Sequence, residues 1–98
     1  MLLAVLFVDD ATRANMRPAH MPEHLAFLER NASAIKAAGP LTDTEDGGPA
    51  GGLWLVEAVS PENVRALVEA GPFWPTGPRK SVRVLQWKQV FADARGLP

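Results

Sequence analysis

The spacing of apolar residues along the chain predicts three strong strands. Residues 2–8 form a short run of leucine and valine without a polar side chain, and residues 53–59 form a second, largely apolar run. Residues 81–91 alternate instead, with Val82 and Val84 on one face. Runs of this length and composition are typical of strands in a packed sheet, so these three segments are expected to form its framework.

Between the first two strands, apolar residues recur at the three- and four-residue steps of a helix. The residues on this face are Leu25, Leu28, Ala32 and Ile35. The helix is expected to begin near Pro22, because a proline in the first turn lacks an N–H that would have no partner there. Gly39 is expected to cap the helix and Pro40 to end it. Residues 10–21 are then a polar loop or a short irregular turn.

A second helix is predicted between the later strands. Ser60 suits the N-cap, Pro61 suits the first turn, and Gly71 ends the helix. Residues 41–46 are expected to form a short, weak strand. The glycine-rich run 47–52 leads into a strand and lacks the Lys-Ser/Thr ending of a phosphate loop, so a hairpin turn is expected there.

The resulting order is strand, helix, strand, strand, helix, strand. This order with short connections predicts an α+β, ferredoxin-like sandwich, in which both helices cover one face of a four-stranded antiparallel sheet. Residues 2–8 and 53–56 are apolar on both faces, so the face without helices also needs cover. A second copy packing sheet against sheet is the simplest cover, and a homodimer is therefore expected.

Length and composition favour one modest domain spanning residues 1–98, with a frayed tail at 92–98. The net charge is -1 and no basic stripe is present, so no nucleic-acid partner is expected. The absence of cysteine excludes disulfides, thiolate catalysis and cysteine-based zinc sites. The first apolar run is too short to span a bilayer and does not read as a signal peptide, so we expect a cytoplasmic protein without a membrane partner.

His24 is the leading candidate for chemistry, because imidazole titrates near neutral pH without any perturbation. One reading is a general base or acid, whose neutral form would be favoured by the helix dipole if His24 lies in the first turn. The other reading is a surface or capping histidine. His20 precedes His24 by four residues, a spacing that can share a metal, but Pro22 stands between them and no metal site is expected. His20 is instead a candidate for the rim of a pocket.

The aromatic residues divide into two groups. Trp54 and Trp87 fall within predicted strands, where packing in a core or an interface is expected. Phe73 and Trp74 lie in a proline-rich loop and are candidates for lining a pocket. Asp9 and Asp10 directly follow the first strand and are candidates for a carboxylate near a helix start.

Taken together, these segments resemble the YciI-like (YCII-related) family over nearly the whole chain. The resemblance rests on several segments in order: the first strand ending in Asp9-Asp10, Pro22-Glu23-His24-Leu25-Ala26-Phe27-Leu28, Ala37-Ala38-Gly39-Pro40-Leu41, the strand from Leu53 to Glu57, Gly71-Pro72-Phe73, and Ser81 to Phe91. It implies a dimeric ferredoxin-like α/β barrel. It also implies a pocket between the sheet and the helix start that holds the family histidine, here His24.

The resemblance further implies a partner for the histidine, an aspartate in an Asp-Pro-(Phe or Tyr) motif. Here Pro72 and Phe73 match, but Gly71 stands at the aspartate position. An arginine of the family corresponds to Met21, and Arg17, one helical turn earlier, is a candidate to hold an anionic group in its place. A histidine without its orienting carboxylate is expected to be a poorer catalyst.

Three functions remain open from the sequence. Members of the family include a dehydrochlorinase acting on a chlorinated hydroxyquinol, and the fold resembles muconolactone isomerases. The first function is therefore a lyase or isomerase that moves a proton on a small cyclic or aromatic compound, without a cofactor. The second is a non-catalytic dimer that binds a small molecule, and the third is a structural dimer with a vestigial pocket.

Overall fold

The computed structural model describes residues 1–9, 16–71 and 79–96, and for residues 9, 16–20 and 79–80 it describes the backbone alone. The elements, in chain order, are β1 (Leu2–Asp9), α1 (Met16–Arg30), β2 (Ile35–Thr42), β3 (Pro49–Glu57), α2 (Pro61–Ala70), β4 (Arg79–Gln86), β5 (Phe91–Ala92) and β6 (Arg95–Gly96).

The main sheet has four antiparallel strands in the order β2-β3-β1-β4. Each helix connects two strands that are separated by a third, which is the ferredoxin-like arrangement of two interleaved β-α-β units. The prediction of an α+β, ferredoxin-like fold is therefore confirmed. A frayed tail is expected at 92–98, but residues 92–96 belong to a separate two-stranded hairpin of β5 and β6 that begins at Phe91.

The strand register sorts the side chains onto two faces of the sheet. Leu3, Val5 and Phe7 share the inner face with Trp54 and Val56, because each of these residues of β1 pairs directly with a residue of β3. Both helices pack on this face. The buried residues of the core are Leu3, Val5, Phe7, Phe27, Ile35, Trp54, Val56, Val64 and Val68. The outer face carries apolar side chains that remain partly or largely exposed, namely Ala4, Leu6, Leu53, Leu55 and Leu85.

Helix α2 begins and ends as the sequence predicts. The Ser60 hydroxyl accepts a hydrogen bond from the backbone N–H of Asn63 at 3.2 Å, and Pro61 occupies the first turn. Val64 and Val68, one turn apart, are the buried side chains that anchor α2 to the sheet. At the other end, the backbone N–H of Gly71 donates to the carbonyl of Val68 at 3.1 Å.

Helix α1 differs from the prediction at both ends. It begins at Met16, so Pro18 and not Pro22 lies in the first turn, and Pro22 lies inside the helix. It ends at Arg30, and the chain then turns: the Asn31 side-chain amide donates to the carbonyl of Phe27 at 2.8 Å, and the backbone N–H of Ile35 donates to the carbonyl of Asn31 at 2.8 Å. The buried face is also different, since His24 and Phe27 are buried whereas Leu25 is 52% exposed.

The segment that the sequence assigns to the end of the first helix is an edge strand. Ile35–Thr42 pairs with β3 alone, with irregular register on either side of residues 37–40. An edge strand tolerates Pro40, because the missing N–H can face away from the sheet. Of the predicted strand at 41–46, residues 41 and 42 belong to β2. A turn follows, in which the carboxylates of Asp43 and Asp46 accept backbone N–H groups at 2.8 Å and 2.7 Å.

The later strands are also displaced from their predicted bounds. Strand β3 begins at Pro49, four residues before the predicted start at Leu53, because part of the glycine-rich run is itself paired with β1 and β2. Strand β4 ends at Gln86 and not at Phe91, although the backbone N–H of Trp87 still donates to the carbonyl of Leu2 at 2.9 Å. The alternation of β4 is as predicted, with Val82 and Val84 on the inner face.

Gly51 is the position where the sheet most strictly requires glycine. Its φ is +92°, and a Cβ atom added there would overlap the carbonyl oxygen of Phe7. We expect Gly51→Ala to lower the free energy of unfolding by about 2 kcal/mol or more, the usual scale of backbone strain plus displacement of β1. Urea unfolding measures this loss at a fixed protein concentration. Gly39→Ala is the matched control, because a Cβ atom there meets nothing within 4 Å. Equal stability of the two variants would contradict the assignment.

Candidate functional site

A cleft with a volume of about 130 Å³ lies between α1 and the β2 edge of the inner sheet face. Helix α1 supplies one wall, β2 supplies the opposite wall, and β3 supplies the floor. The lining residues are Met21, His24, Leu25, Leu28, Ala38, Gly39, Pro40, Gly52 and Trp54. Most of these side chains are apolar, so the cleft offers a largely apolar space to a small ligand.

His24 lies in the wall of this cleft and is 7% exposed. Its burial argues against the reading of a surface or capping histidine. The condition for an effect of the helix dipole is not met, because α1 begins at Met16 and His24 lies about two turns further on. The influence of the dipole falls off within the first turn. The environment of His24 is therefore set by its neighbours across the cleft and not by the end of the helix.

Trp54 is the main aromatic neighbour of His24. The imidazole and indole rings are stacked, with their centroids 6.1 Å apart and their planes at 30°. The same indole packs against the ring of Phe7 edge-on, with the ring centroids 5.1 Å apart, and against the ring of Phe27, with the centroids 6.1 Å apart. Trp54 is 3% exposed. One buried ring therefore contacts side chains of both β1 and α1, and it also forms part of the floor of the cleft.

The sequence reasoning missed most of the residues that form the cleft. The sequence predicts packing for Trp54, which the structure confirms, but this residue also lines the cleft. It predicts a helix end at Gly39 and Pro40 and a hairpin turn at Gly52, whereas all three residues line the cleft. The available signal was period-two alternation: Gly52 and Trp54 lie on one face of a strand, and a residue without a side chain leaves space beside a large ring.

The remaining candidate residues lie at the limits of the described chain. Arg17 and His20 belong to α1, and His20 lies about one turn before His24. The structure describes the backbone of both residues but not their side chains. Phe73 and Trp74 are outside them altogether, as are Asp10 and the side chain of Asp9. Within the described part of the chain, no three of His, Asp and Glu come together in a way that could hold a metal ion.

Gly71, the position of the family aspartate implied by the resemblance, is buried beside Phe27. A Cβ atom at Gly71 would lie 3.3 Å from Cε1 of Phe27 and 3.3 Å from the carbonyl oxygen of Val68. The backbone φ of -76° is open to any residue, so the constraint is one of space and not of conformation. The Phe27 ring therefore limits the room for a larger side chain at position 71.

Two comparisons with known proteins bear on this site. A model of the YCII-related domain matches residues 1–88. Among solved structures, the chain is similar to 5-chloro-2-hydroxyhydroquinone dehydrochlorinase from Burkholderia phenoliruptrix AC1100 in complex with 2,5-dihydroxybenzoquinone. The TM-score is 0.76 and the identity 30%, over 91% of this chain and 95% of that chain. A comparison with curated proteins finds no significant match.

Of the helices in the described ranges, none combines the length and apolarity needed to cross a bilayer.

We expect the packing of Trp54 to dominate the stability of the cleft. Trp54→Leu should lower the free energy of unfolding by about 3 kcal/mol, because it removes ring contacts to three aromatic neighbours and leaves a cavity. Trp54→Phe should retain more of the stability, since a ring remains at the same place. Urea unfolding of both variants measures the difference. A loss below about 1 kcal/mol for the leucine variant would show that the ring is not the packing centre.

Proposed function

Because the chain belongs to the YCII-related domain family, we propose that it is a small-molecule lyase or isomerase whose active site is the cleft around His24. The observation that carries this proposal is the position of His24. Among the described residues that line the cleft, it is the one whose side chain can ionise, and it is buried against Trp54. A single imidazole in an apolar cleft is suited to moving a proton on a bound molecule.

The proposed substrate is a single planar ring that carries hydroxyl groups. A dry apolar cavity of roughly 150 Å³ is large enough to hold benzene, and the cleft here has a similar volume of about 130 Å³. The indole of Trp54 offers a face or an edge for offset stacking. The similar solved structure holds 2,5-dihydroxybenzoquinone, a ligand of this size and shape.

For a chlorinated trihydroxybenzene, the proposed chemistry balances without a cofactor. A ring hydroxyl loses its proton as the ring ketonises, and the chlorine-bearing carbon gains a proton. Loss of a second hydroxyl proton then expels chloride together with the C–Cl bonding pair, so one HCl leaves and a quinone forms. His24 accepts and returns protons in these steps. Arg17 is proposed to hold an anionic oxygen, and His20, Phe73 and Trp74 to complete the rim of the cleft.

A second candidate function is ligand binding without turnover. The observation that favours it is Gly71, which stands where the family resemblance implies an orienting aspartate and where Phe27 crowds any added side chain. Loss of the family aspartate is expected to make the histidine a poorer base, while the apolar walls would still hold a ring. The cleft would then bind the same class of molecule and return it unchanged.

We expect the wild-type protein to bind 2,5-dihydroxybenzoquinone in isothermal titration calorimetry and to release chloride from 5-chloro-2-hydroxyhydroquinone. His24→Gln should slow chloride release about 10²–10⁴-fold, the usual contribution of a general base, with a smaller effect on binding. Ala38→Phe should weaken binding at least about tenfold, because a ring on the inner face of β2 occupies the cleft. Glu45→Gln, in the exposed turn, is the control and should change neither quantity.

The outcomes separate the two candidate functions. Binding with no chloride release, unaffected by His24→Gln, would favour the non-catalytic module. Absence of binding in the wild-type protein, or binding that Ala38→Phe leaves intact, would contradict both uses of the cleft.

We also propose that the protein is a homodimer that packs through the outer face of the sheet. The support is the composition of that face: Leu6, Leu53 and Leu55 lie side by side at its centre, and the helices pack on the opposite face. Leu85 extends the apolar surface onto β4 and is 39% exposed. An apolar sheet face of this kind marks an interaction site.

The dimer predicts a mass near twice 10.6 kDa in sedimentation equilibrium at micromolar concentration. Leu55→Asp should shift the protein to the mass of one chain, because two unpaired carboxylates would be buried at the centre of the interface. Arg65→Glu places a carboxylate on the exposed side of α2 and should leave the mass unchanged. Far-UV circular dichroism confirms that both variants are folded. A wild-type mass of 10.6 kDa would contradict the dimer.

A further inference from the structure

The segment after β4, residues 87–96, exposes an unusual amount of apolar surface. We call this segment the C-terminal arm. Val90 is 69% exposed, Phe91 is 63% exposed, and Trp87 is 43% exposed. The match to the family model ends at residue 88, so most of the arm lies beyond it.

The end of the arm forms a β-hairpin and not an extended tail. Phe91 pairs with Gly96 and Ala92 pairs with Arg95, across a turn in which Asp93 and Ala94 have φ of 53° and 59°. Two consecutive residues with positive φ are typical of a type I′ hairpin turn, and residues other than glycine adopt this conformation at a cost. An isolated two-stranded hairpin is only marginally stable in water. A surface that receives Val90 and Phe91 would supply the missing stabilisation.

A receiving surface lies at the other edge of the sheet. An apolar groove of about 240 Å³ runs along the outer face between β2 and β3, lined by Ala37, Gly39, Leu41, Leu53 and Leu55. We call it the outer groove. The groove lies between β2 and β3, so two to three strand spacings, roughly 10–14 Å, separate it from β4, the strand that leads into the arm. Val90 and Phe91 remain largely exposed in the single chain, so they do not fill this groove themselves.

We propose that the C-terminal arm of one copy packs Val90 and Phe91 into the outer groove of a second copy. The inference rests on the proposed homodimer and adds the contact that completes it. A two-fold axis parallel to the strands places β4 of each copy opposite β2 of the other. Each arm then lies near the outer groove of the other copy, and the two equivalent contacts produce a closed dimer.

The same contact connects the partner to the candidate site. Ala38, Gly39 and Pro40 line both the His24 cleft on the inner side and the outer groove on the other side. Strand β2 is an edge strand, supported by β3 alone within the main sheet. A partner arm in the outer groove would pack against the outer surface of β2, which is the wall between the groove and the cleft. The width of the cleft would then be maintained only in the dimer.

Cysteine cross-linking tests the contact cleanly, because the chain contains no cysteine of its own. Ala37→Cys places a thiol in the outer groove, and Gly96→Cys places one beside Phe91 in the hairpin, where an added Cβ atom meets nothing closer than 4.0 Å. In the double variant we expect mild oxidation to produce a covalent dimer. The pair Glu62→Cys and Gly96→Cys, with the first thiol on exposed α2, is the control and should not cross-link.

Each outcome of this experiment has one meaning. A disulfide within one chain would show that the arm folds back on its own groove and would overturn the inference. A wild-type dimer in sedimentation equilibrium without a cross-link would also overturn it, while leaving the proposed dimer intact. A wild-type monomer would remove the dimer and the inference together.

Serine substitutions on the two faces of the hairpin give a second, independent test. Phe91→Ser should weaken dimerisation at least tenfold and weaken binding of 2,5-dihydroxybenzoquinone when measured near the dissociation constant of the dimer. Arg95→Ser, on the opposite face of the same hairpin, should change neither. If the two variants dimerise and bind the ligand equally well, the apolar face of the arm is not the contact surface.

Discussion

The stacking of Trp54 on its neighbours is the interaction on which the rest of this structure depends. Its indole meets Phe7 from β1 and Phe27 and His24 from α1, so it joins the central strands to the helix that carries the candidate base. Aromatic pairs of this kind add stabilisation beyond the area that they bury. In a chain this short the core has little in reserve, and the ring that holds it together also forms the floor of the cleft. Stability and site geometry are therefore coupled through one side chain.

The fold class could be predicted from the sequence because several local signals agree with it. Strand β1 has a continuous apolar run, and α2 has both a hydroxyl cap and a first-turn proline, so propensity and tertiary packing favour the same structure. Helix α1 could not be placed in the same way. Its apolar period continues past Asn31 into Ala32 and Ile35, and the turn that separates α1 from β2 leaves no mark on the hydrophobic pattern.

The error in α1 carried over to the candidate site. Once the helix was extended through Gly39 and Pro40, these residues became a cap and a stop, and the edge strand that forms one wall of the cleft could not be seen. His24 was nevertheless identified, because the argument for it rests on chemistry and not on the element that holds it. Its neighbours could not be identified, since they depend on the pairing of Ala38 with Trp54 across two strands that are distant in sequence.

Pro40 has a further consequence for how this protein meets other chains. Because Pro40 lacks an N–H and the register of β2 is irregular on both sides of it, the free edge of the sheet at β2 presents an interrupted row of donors. Another strand cannot readily extend the sheet there, which protects the protein from edge-to-edge aggregation. Partners are directed to the faces of the sheet, and association through side chains is favoured over association through the backbone.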